Sequence, residues 1–236
     1  MTEPLVFLPG MMSDDRVFEP QIRALGAERA IMVAPVSQGE RIEEIAAGLL
    51  DQLPQRFALV GHSMGGIVAM EVLKRIPRRI TRLCLMDTNP LPETPAFAAM
   101  REPLIVGAQT GRLEEVLRES MPADFLAPVH NRLEIQTLLA DMARDLGPDV
   151  YVRQSRALQR RPDQQGTLRK CAVPTRLICG ESDPMTPVRR HEFMAQLIPE
   201  ATLTIIENCG HIPTLEQPEQ TTLILRDWLN QPLILR

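Results

Sequence analysis

The sequence carries no excess of basic residues. Lys and Arg number 26 against 30 Asp and Glu, a formal charge of −4. A nucleic-acid binder usually displays a basic patch, so that class is disfavoured. Long apolar runs are missing too. The longest stretch without a charge, Phe57 to Met70, is 14 residues, short of the roughly 18 that a membrane span needs. No positive region opens the N-terminus: the first charge is Glu3 and the first Arg is Arg16. A signal peptide is therefore not expected. The four cysteines, Cys84, Cys171, Cys179 and Cys209, form no CxxC pair and no disulfide framework. They read as reduced, mostly buried thiols of a cytoplasmic protein. No GxGxxG or Walker loop occurs, so no nucleotide is expected. His191-Glu192 is followed by Ala195 where a zinc-binding helix would need a second His, so no metal is expected either.

The 236 residues suffice for one large domain with a real core. Hydrophobic residues at 44% and charged residues at 24% are ordinary for a globular chain. Strand and helix signals alternate through the first half. Pro4–Leu8, Ala30–Val36, Phe57–Val60 and Leu83–Met86 are short apolar runs. Between them, Ser13-Asp14-Asp15 reads as a helix N-cap. Ile42–Leu53 and Met64–Ile76 carry apolar residues at helical spacing, the latter stopped by Pro77.

From about residue 89 to 170 the pattern changes. A stretch with Pro90, Pro92 and Pro95 leads into helical segments, among them Leu113–Arg118 and Leu133–Leu146, with no convincing strand. The alternation resumes with a strand at Thr175–Cys179, a helix at Val188–Ile198, a strand at Thr202–Ile206 and a helix at Gln217–Leu229. Short apolar strands joined by helices imply a mostly parallel six-stranded sheet covered on both faces. The segment after the fourth strand is too long for a simple connection. It reads as a helical lid over one edge of the sheet.

The strongest chemical signal is Gly61-His62-Ser63-Met64-Gly65, followed by Gly66, between an apolar strand and a helix. That context suits a nucleophile elbow. Ser63 must adopt a strained backbone there, and side chains at positions 61 and 65 would collide with neighbouring elements. The hydroxyl then stands at a helix N-terminus, where the dipole favours developing negative charge.

A serine near neutral pH needs a base. Of the four histidines, His62 should point away from Ser63, His130 falls in the lid and His191 on a late helix. His211 follows a strand in Asn208-Cys209-Gly210-His211, at the sheet edge where active-site loops collect. The base in turn needs a carboxylate to fix its tautomer. Asp183, just past a strand in Gly180-Glu181-Ser182-Asp183-Pro184, fits; Asp87, past the fourth strand, is the rival, and Glu181 and Glu207 are outsiders.

These residues resemble those of the α/β-hydrolase superfamily, most closely its small serine esterases with a short helical cap. The resemblance rests on Leu8-Pro9-Gly10-Met11-Met12, on the Gly61–Gly66 elbow, on Cys179-Gly180-Glu181-Ser182-Asp183-Pro184-Met185-Thr186-Pro187, and on Gly210-His211-Ile212-Pro213-Thr214-Leu215-Glu216-Gln217-Pro218. Arg161-Pro162-Asp163, leaving the lid, is similar as well. The family implies a cofactor-free serine hydrolase with Ser63, Asp183 and His211 as its triad and an oxyanion hole of the Met11 and Met64 main-chain N–H groups. It also implies a small ester or thioester substrate. Carbon–carbon bond hydrolases, lactonases, perhydrolases and non-catalytic receptors share this fold. Two departures stand out. The chain begins with what resembles the family's third strand, and Pro9 occupies a position where the family often has His, although Gly10 is kept. Dehalogenases and epoxide hydrolases would place Asp at position 63, and the single tyrosine, Tyr151, does not supply the paired lid tyrosines of the latter.

Within the lid, Phe97, Met100, Leu104, Met121, Phe125 and Met142 are candidates to line an apolar pocket. Arg153, Arg156 and Arg160 share a helical face that reads as solvated charge before an anion anchor.

Overall fold

The computed structural model of the chain describes residues 2–232. Its first half runs β1 (Leu5–Leu8), α1 (Glu19–Leu25), β2 (Ile31–Val33), α2 (Ile42–Leu49), β3 (Phe57–His62), α3 (Met64–Arg75) and β4 (Ile80–Met86). Then come helices α4 (Pro95–Gln109), α5 (Leu113–Ser120), α6 (Arg132–Gln159) and α7 (Gln165–Arg169). The chain ends with β5 (Thr175–Gly180), α8 (Val188–Leu197), β6 (Ala201–Ile206), α9 (Pro213–Glu216) and α10 (Pro218–Asn230).

The six strands form one sheet in the order β2-β1-β3-β4-β5-β6, and every neighbouring pair is parallel. The chain winds outward from β1 to β2 and then returns to the other side of β1 as β3. The winding direction therefore reverses between β1 and β3, and open sheets of this kind hold ligands outside the strand carboxyl ends at that point.

Strands β1, β3 and β4 are buried along their whole length, which is why they read as unbroken apolar runs rather than alternating ones. Alternation still sorts them by face. Leu5 and Phe7 pack with Phe18, Leu25, Leu225 and Trp228 on one side. Val6 and Leu8 pack with Ile42, Ile45, Val68 and Val72 on the other. The expected strand Ala30–Val36 shortens to Ile31–Val33 at the sheet edge, where Pro35 has no N–H to continue a ladder.

Between β4 and β5 every regular element among the described residues is a helix. The opening Pro-rich stretch contains α4, started by Pro95 with Thr94 as its cap and carrying Pro103 inside. The segment expected to end at Leu146 continues to Gln159 across a break at Gly147 (φ 80°, ψ 173°), before Pro148. The two ends of this insertion are joined. The Gln164 N–H donates to the Pro90 carbonyl (2.8 Å), and Arg161 Nε donates to the Leu91 carbonyl (3.0 Å). No described helix is long and apolar enough to cross a membrane.

Candidate active site

Ser63 sits between the last residue of β3 and the first of α3, at φ 52° and ψ −118°. That region is costly for a non-glycine residue and persists only where neighbours over-determine it. Two hydrogen bonds do so: Ser63 N–H to the Met86 carbonyl (2.9 Å) and Thr88 Oγ1 to the Ser63 carbonyl (2.7 Å). A Cβ at Gly61 would lie 2.6 Å from the Gly66 Cα, and one at Gly65 would strike the Leu8 and Pro9 carbonyls. Glycine is required at Gly61 because the first turn of α3 folds back onto it, and at Gly65 because that turn lies against the end of β1.

His211 follows β6. Its Nε2 lies 2.9 Å from Ser63 Oγ and its Nδ1 lies 2.9 Å from Asp183 Oδ2. The structure thus brings together three residues that are 120 and 28 positions apart along the chain. Asp183, past β5, is buried, and burial alone would raise its carboxyl. The charge of His211 and its hydrogen bond outweigh this, together with the bonds from Thr186 Oγ1 and the Met185 N–H, and hold Asp183 well below the usual carboxylate range.

Asp87, the rival carboxylate, is placed differently. It follows β4 at φ 41° and accepts from the Gly180 N–H (2.9 Å) through Oδ1. Its Oδ2 has no partner among the described residues. Burial, then the nearby Asp183 charge, push its carboxyl well above the usual range. Two carboxylates cannot both ionise cheaply in one buried site. The proton belongs on Asp87, which makes fewer bonds. Glu181 and Glu207 are exposed.

Met64 opens α3, so its N–H is one of the donors that a helix start leaves without an intrahelical partner. Met11 lies in the loop after β1, and this loop touches the elbow: a Cβ at Gly10 would stand 3.3 Å from Ser63 Cβ. A cavity of about 450 Å³ opens beside it at the ends of β1 and β2, lined by Pro9, Ser13, Ile31, Val33, Ser37 and Gln154; it does not include Ser63.

The sequence matches the alpha/beta hydrolase family over residues 5–222. The chain belongs to that family. It is 28% identical over 202 residues to a pimeloyl-[acyl-carrier protein] methyl ester esterase of Aromatoleum aromaticum, with 81% of each chain covered. Among solved structures, it superposes on a thermophilic esterase from Thermogutta terrifontis with a TM-score of 0.87 at 24% identity, covering 96% of this chain and 89% of that one. An enol-lactonase from Burkholderia xenovorans gives 0.84 at 22%, covering 98% and 92%. These two likenesses show the fold.

Other parts of this hydrolase depart from the sequence reading. His62, set aside as a base in the sequence reading, is not idle. It is buried, burial pushes it down to about 3, and its Nε2 donates to the His211 carbonyl (2.8 Å). Glu216, which no chemical signal singled out, accepts from the Gly210 and Ile212 N–H groups on either side of His211 (both 2.8 Å) and from Ala127 in the insertion (2.7 Å). A carboxylate five residues after His211 is the only sequence trace of that role. His191 is buried on α8, accepts from the Thr88 N–H (3.2 Å) and is pushed down to about 4 by burial. Where no metal was expected, Asp87, Cys179 and His191 offer donor atoms within 4.8 Å of one another, as do Asp87, Asp183 and His211.

Of the six proposed pocket residues, Phe97 and Met100 are exposed, because the first turns of α4 project into solvent. Phe125 lies edge-on to His211, with ring centres 6.1 Å apart. Leu104 and Met121 pack around Met11 and Met12, and Met142 is buried against the sheet core. The arginine face is engaged rather than free. Arg153 donates to the Ser37 carbonyl, Arg156 pairs with Glu102, and Arg160 lies 3.5 Å from Glu40.

Proposed function

We propose that this α/β hydrolase is a serine hydrolase that cleaves small carboxylic esters or thioesters through an acyl-enzyme. The observation that carries the reading is the continuous path Ser63 Oγ to His211 Nε2 to His211 Nδ1 to Asp183, with both steps at 2.9 Å. Asp183 accepts from Nδ1–H and so leaves Nε2 as the acceptor facing the hydroxyl. Ser63 attacks the ester carbonyl as its proton passes to His211 Nε2. The oxyanion that forms is held by the Met11 and Met64 N–H groups, next to the positive end of the 12-residue helix α3. His211 then gives its proton to the departing alkoxide or thiolate. Water repeats the sequence, losing a proton to His211 and releasing the acid, and the proton returns to Ser63.

The chain's likeness to a methyl ester esterase supports an ester of a carboxylic acid with a small alcohol. The helical insertion, residues 89–170, is read as a cap that shapes the acyl pocket, with Phe125 facing His211. The four cysteines, all free and buried, support a cytoplasmic setting. The chemistry needs no metal or cofactor, and the acidic chain has neither a nucleic acid nor a membrane as its partner.

Turnover of p-nitrophenyl esters of increasing chain length tests the reading. Ser63→Ala should abolish both that turnover and labelling by a fluorophosphonate while the protein stays folded. A folded variant that keeps most of its activity would overturn the assignment.

A further inference from the structure

The loop that carries Met11 is held by a residue of the helical insertion. Gln154, on the second half of α6, is 1% exposed although it is a long polar side chain. Its Oε1 accepts from the Met12 N–H (2.8 Å) and its Nε2 donates to the Val36 carbonyl (3.2 Å). One amide thus joins the segments after β1 and β2, from positions 142 and 118 residues away. Met12 adopts φ 53°. A long L side chain is disfavoured in that left-handed region and is stable there only when its surroundings leave no alternative. Within the loop itself, the Ser13 N–H to Gly10 carbonyl bond is long at 3.3 Å. The bond from Gln154 is the shorter restraint.

The Met12 N–H belongs to the peptide unit that follows Met11. Fixing that unit fixes ψ of Met11 and limits how the Gly10–Met11 unit, whose N–H is the oxyanion donor, can tilt. We propose that Gln154 is a positioning residue for the oxyanion hole, acting through Met12, so that the insertion sets the geometry of a loop of the sheet. This rests on the serine hydrolase reading above. It adds that the helical insertion contributes to rate as well as to substrate fit.

The test compares Gln154→Met, which has similar length but no hydrogen-bonding amide, with Gln154→Glu, which in its buried protonated form keeps an oxygen for the Met12 N–H and an O–H for the Val36 carbonyl. Removing an oxyanion donor costs about 10²–10³ in kcat, and misplacing one costs part of that. Gln154→Met should lose about 10–10²-fold in kcat with KM within about threefold. It should bind a trifluoromethyl ketone, which fills the hole as a tetrahedral adduct, more weakly by the same factor. Gln154→Glu should recover most of the loss. Amide hydrogen exchange supplies a readout independent of turnover: Met12 exchanges faster in Gln154→Met and stays protected in Gln154→Glu. Equal losses in both variants, a loss confined to KM, or wild-type kcat with an unprotected Met12 would overturn the proposal alone. A wild-type chain that neither hydrolyses an ester nor takes a fluorophosphonate would overturn the hydrolase reading and this proposal with it. Should Gln154→Met fail to fold, the kcat and Met12 exchange of Gln154→Glu decide the matter.

Discussion

The carboxyl edge of the sheet and the helical insertion above it handle backbone strain in opposite ways. Among the described residues, the non-glycine residues with positive φ are Met12, Ser63, Asp87 and Asn208. They follow β1, β3, β4 and β6, so all four lie on the one edge where Ser63, His211 and Asp183 meet. In the insertion, positive φ falls on Gly111 (84°) and Gly147 (80°), which adopt it without steric cost. Each strained residue at the edge costs about 1–3 kcal/mol. The insertion turns its corners with the residue best suited to the turn. The edge instead gives its corners to residues such as Ser63 and Asp87, and neighbouring strands hold them there: Ser63 N–H bonds to Met86 and Asp87 N–H to Ile178. The lesson is that strain here collects at the edge where the reactive groups meet, and that this edge should respond sharply to substitutions which the insertion's outer surface absorbs.

After Ser63→Ala, the largest effect expected at the edge is that of Asp183→Asn. Losing the orienting acid of a triad costs about 10⁴ in kcat in a well-studied case, so a loss of about 10³–10⁴ is expected here in p-nitrophenyl ester turnover. Stability should follow pH in one direction. The folded Asp183 carboxyl lies below its unfolded value of roughly 3.9, so its contribution is complete above that value and is lost as pH falls through the folded one. The Tm gap between wild type and Asp183→Asn should therefore be widest near neutral pH and close on acidification. A variant within tenfold of wild-type kcat would move the orienting role elsewhere.

The same contrast explains what could be read in advance. The strands were legible because burial on both faces removes polar residues, and the elbow was legible because Gly61 and Gly65 admit no Cβ. Ser63, Asp183 and His211 each follow a strand and precede or open a turn, a local signature. Gln154, Glu216 and His62 have no such signature. Gln154 and His62 bond to the Met12 N–H and the His211 carbonyl, 142 and 149 residues distant, and Glu216 ties its near neighbours Gly210 and Ile212 to Ala127, 89 residues away; a lone Gln on a helix looks like any solvated side chain. In the insertion the helix boundaries differ from those expected. Pro95 starts α4, and Gly147-Pro148 breaks α6 without ending it, so the helix expected to close at Leu146 runs on to Gln159.

Asp87 sharpens the comparison within the edge itself, since it lies beside Asp183 with the opposite electrostatics. Asp87→Asn copies the neutral acid in shape and should leave kcat within about tenfold, far from the loss at Asp183. Its folded carboxyl is raised, so the stability it gives is complete below about pH 3.9 and is lost as pH rises toward the folded value. The asparagine does not titrate. Asp87→Asn should match wild type in Tm near pH 4 and exceed it near pH 8, by roughly 2–4 °C for each kcal/mol of relieved penalty. A gain at low pH that shrinks on the alkaline side would contradict the assignment of the proton to Asp87.

The smallest effect belongs to the outer surface of the insertion. Phe97 and Met100 are 63% and 64% exposed on the first turns of α4. Removing an exposed side chain leaves no cavity, and surface changes of this kind usually stay within about 0.5 kcal/mol. Phe97→Ser with Met100→Ser, two such changes, should therefore leave Tm within about 4 °C and kcat/KM for a short-chain p-nitrophenyl ester within about twofold. Phe125 is the control in the same region, since it is 3% exposed and edge-on to His211. Truncating a buried Phe costs about 3–5 kcal/mol, so Phe125→Ala should lower Tm by several degrees and also lower kcat/KM. If the double serine variant instead lost activity as Phe125→Ala does, the exposed turn of α4 would have to close over the substrate. The contrast drawn between a tolerant insertion surface and an exacting sheet edge would then fail at that point.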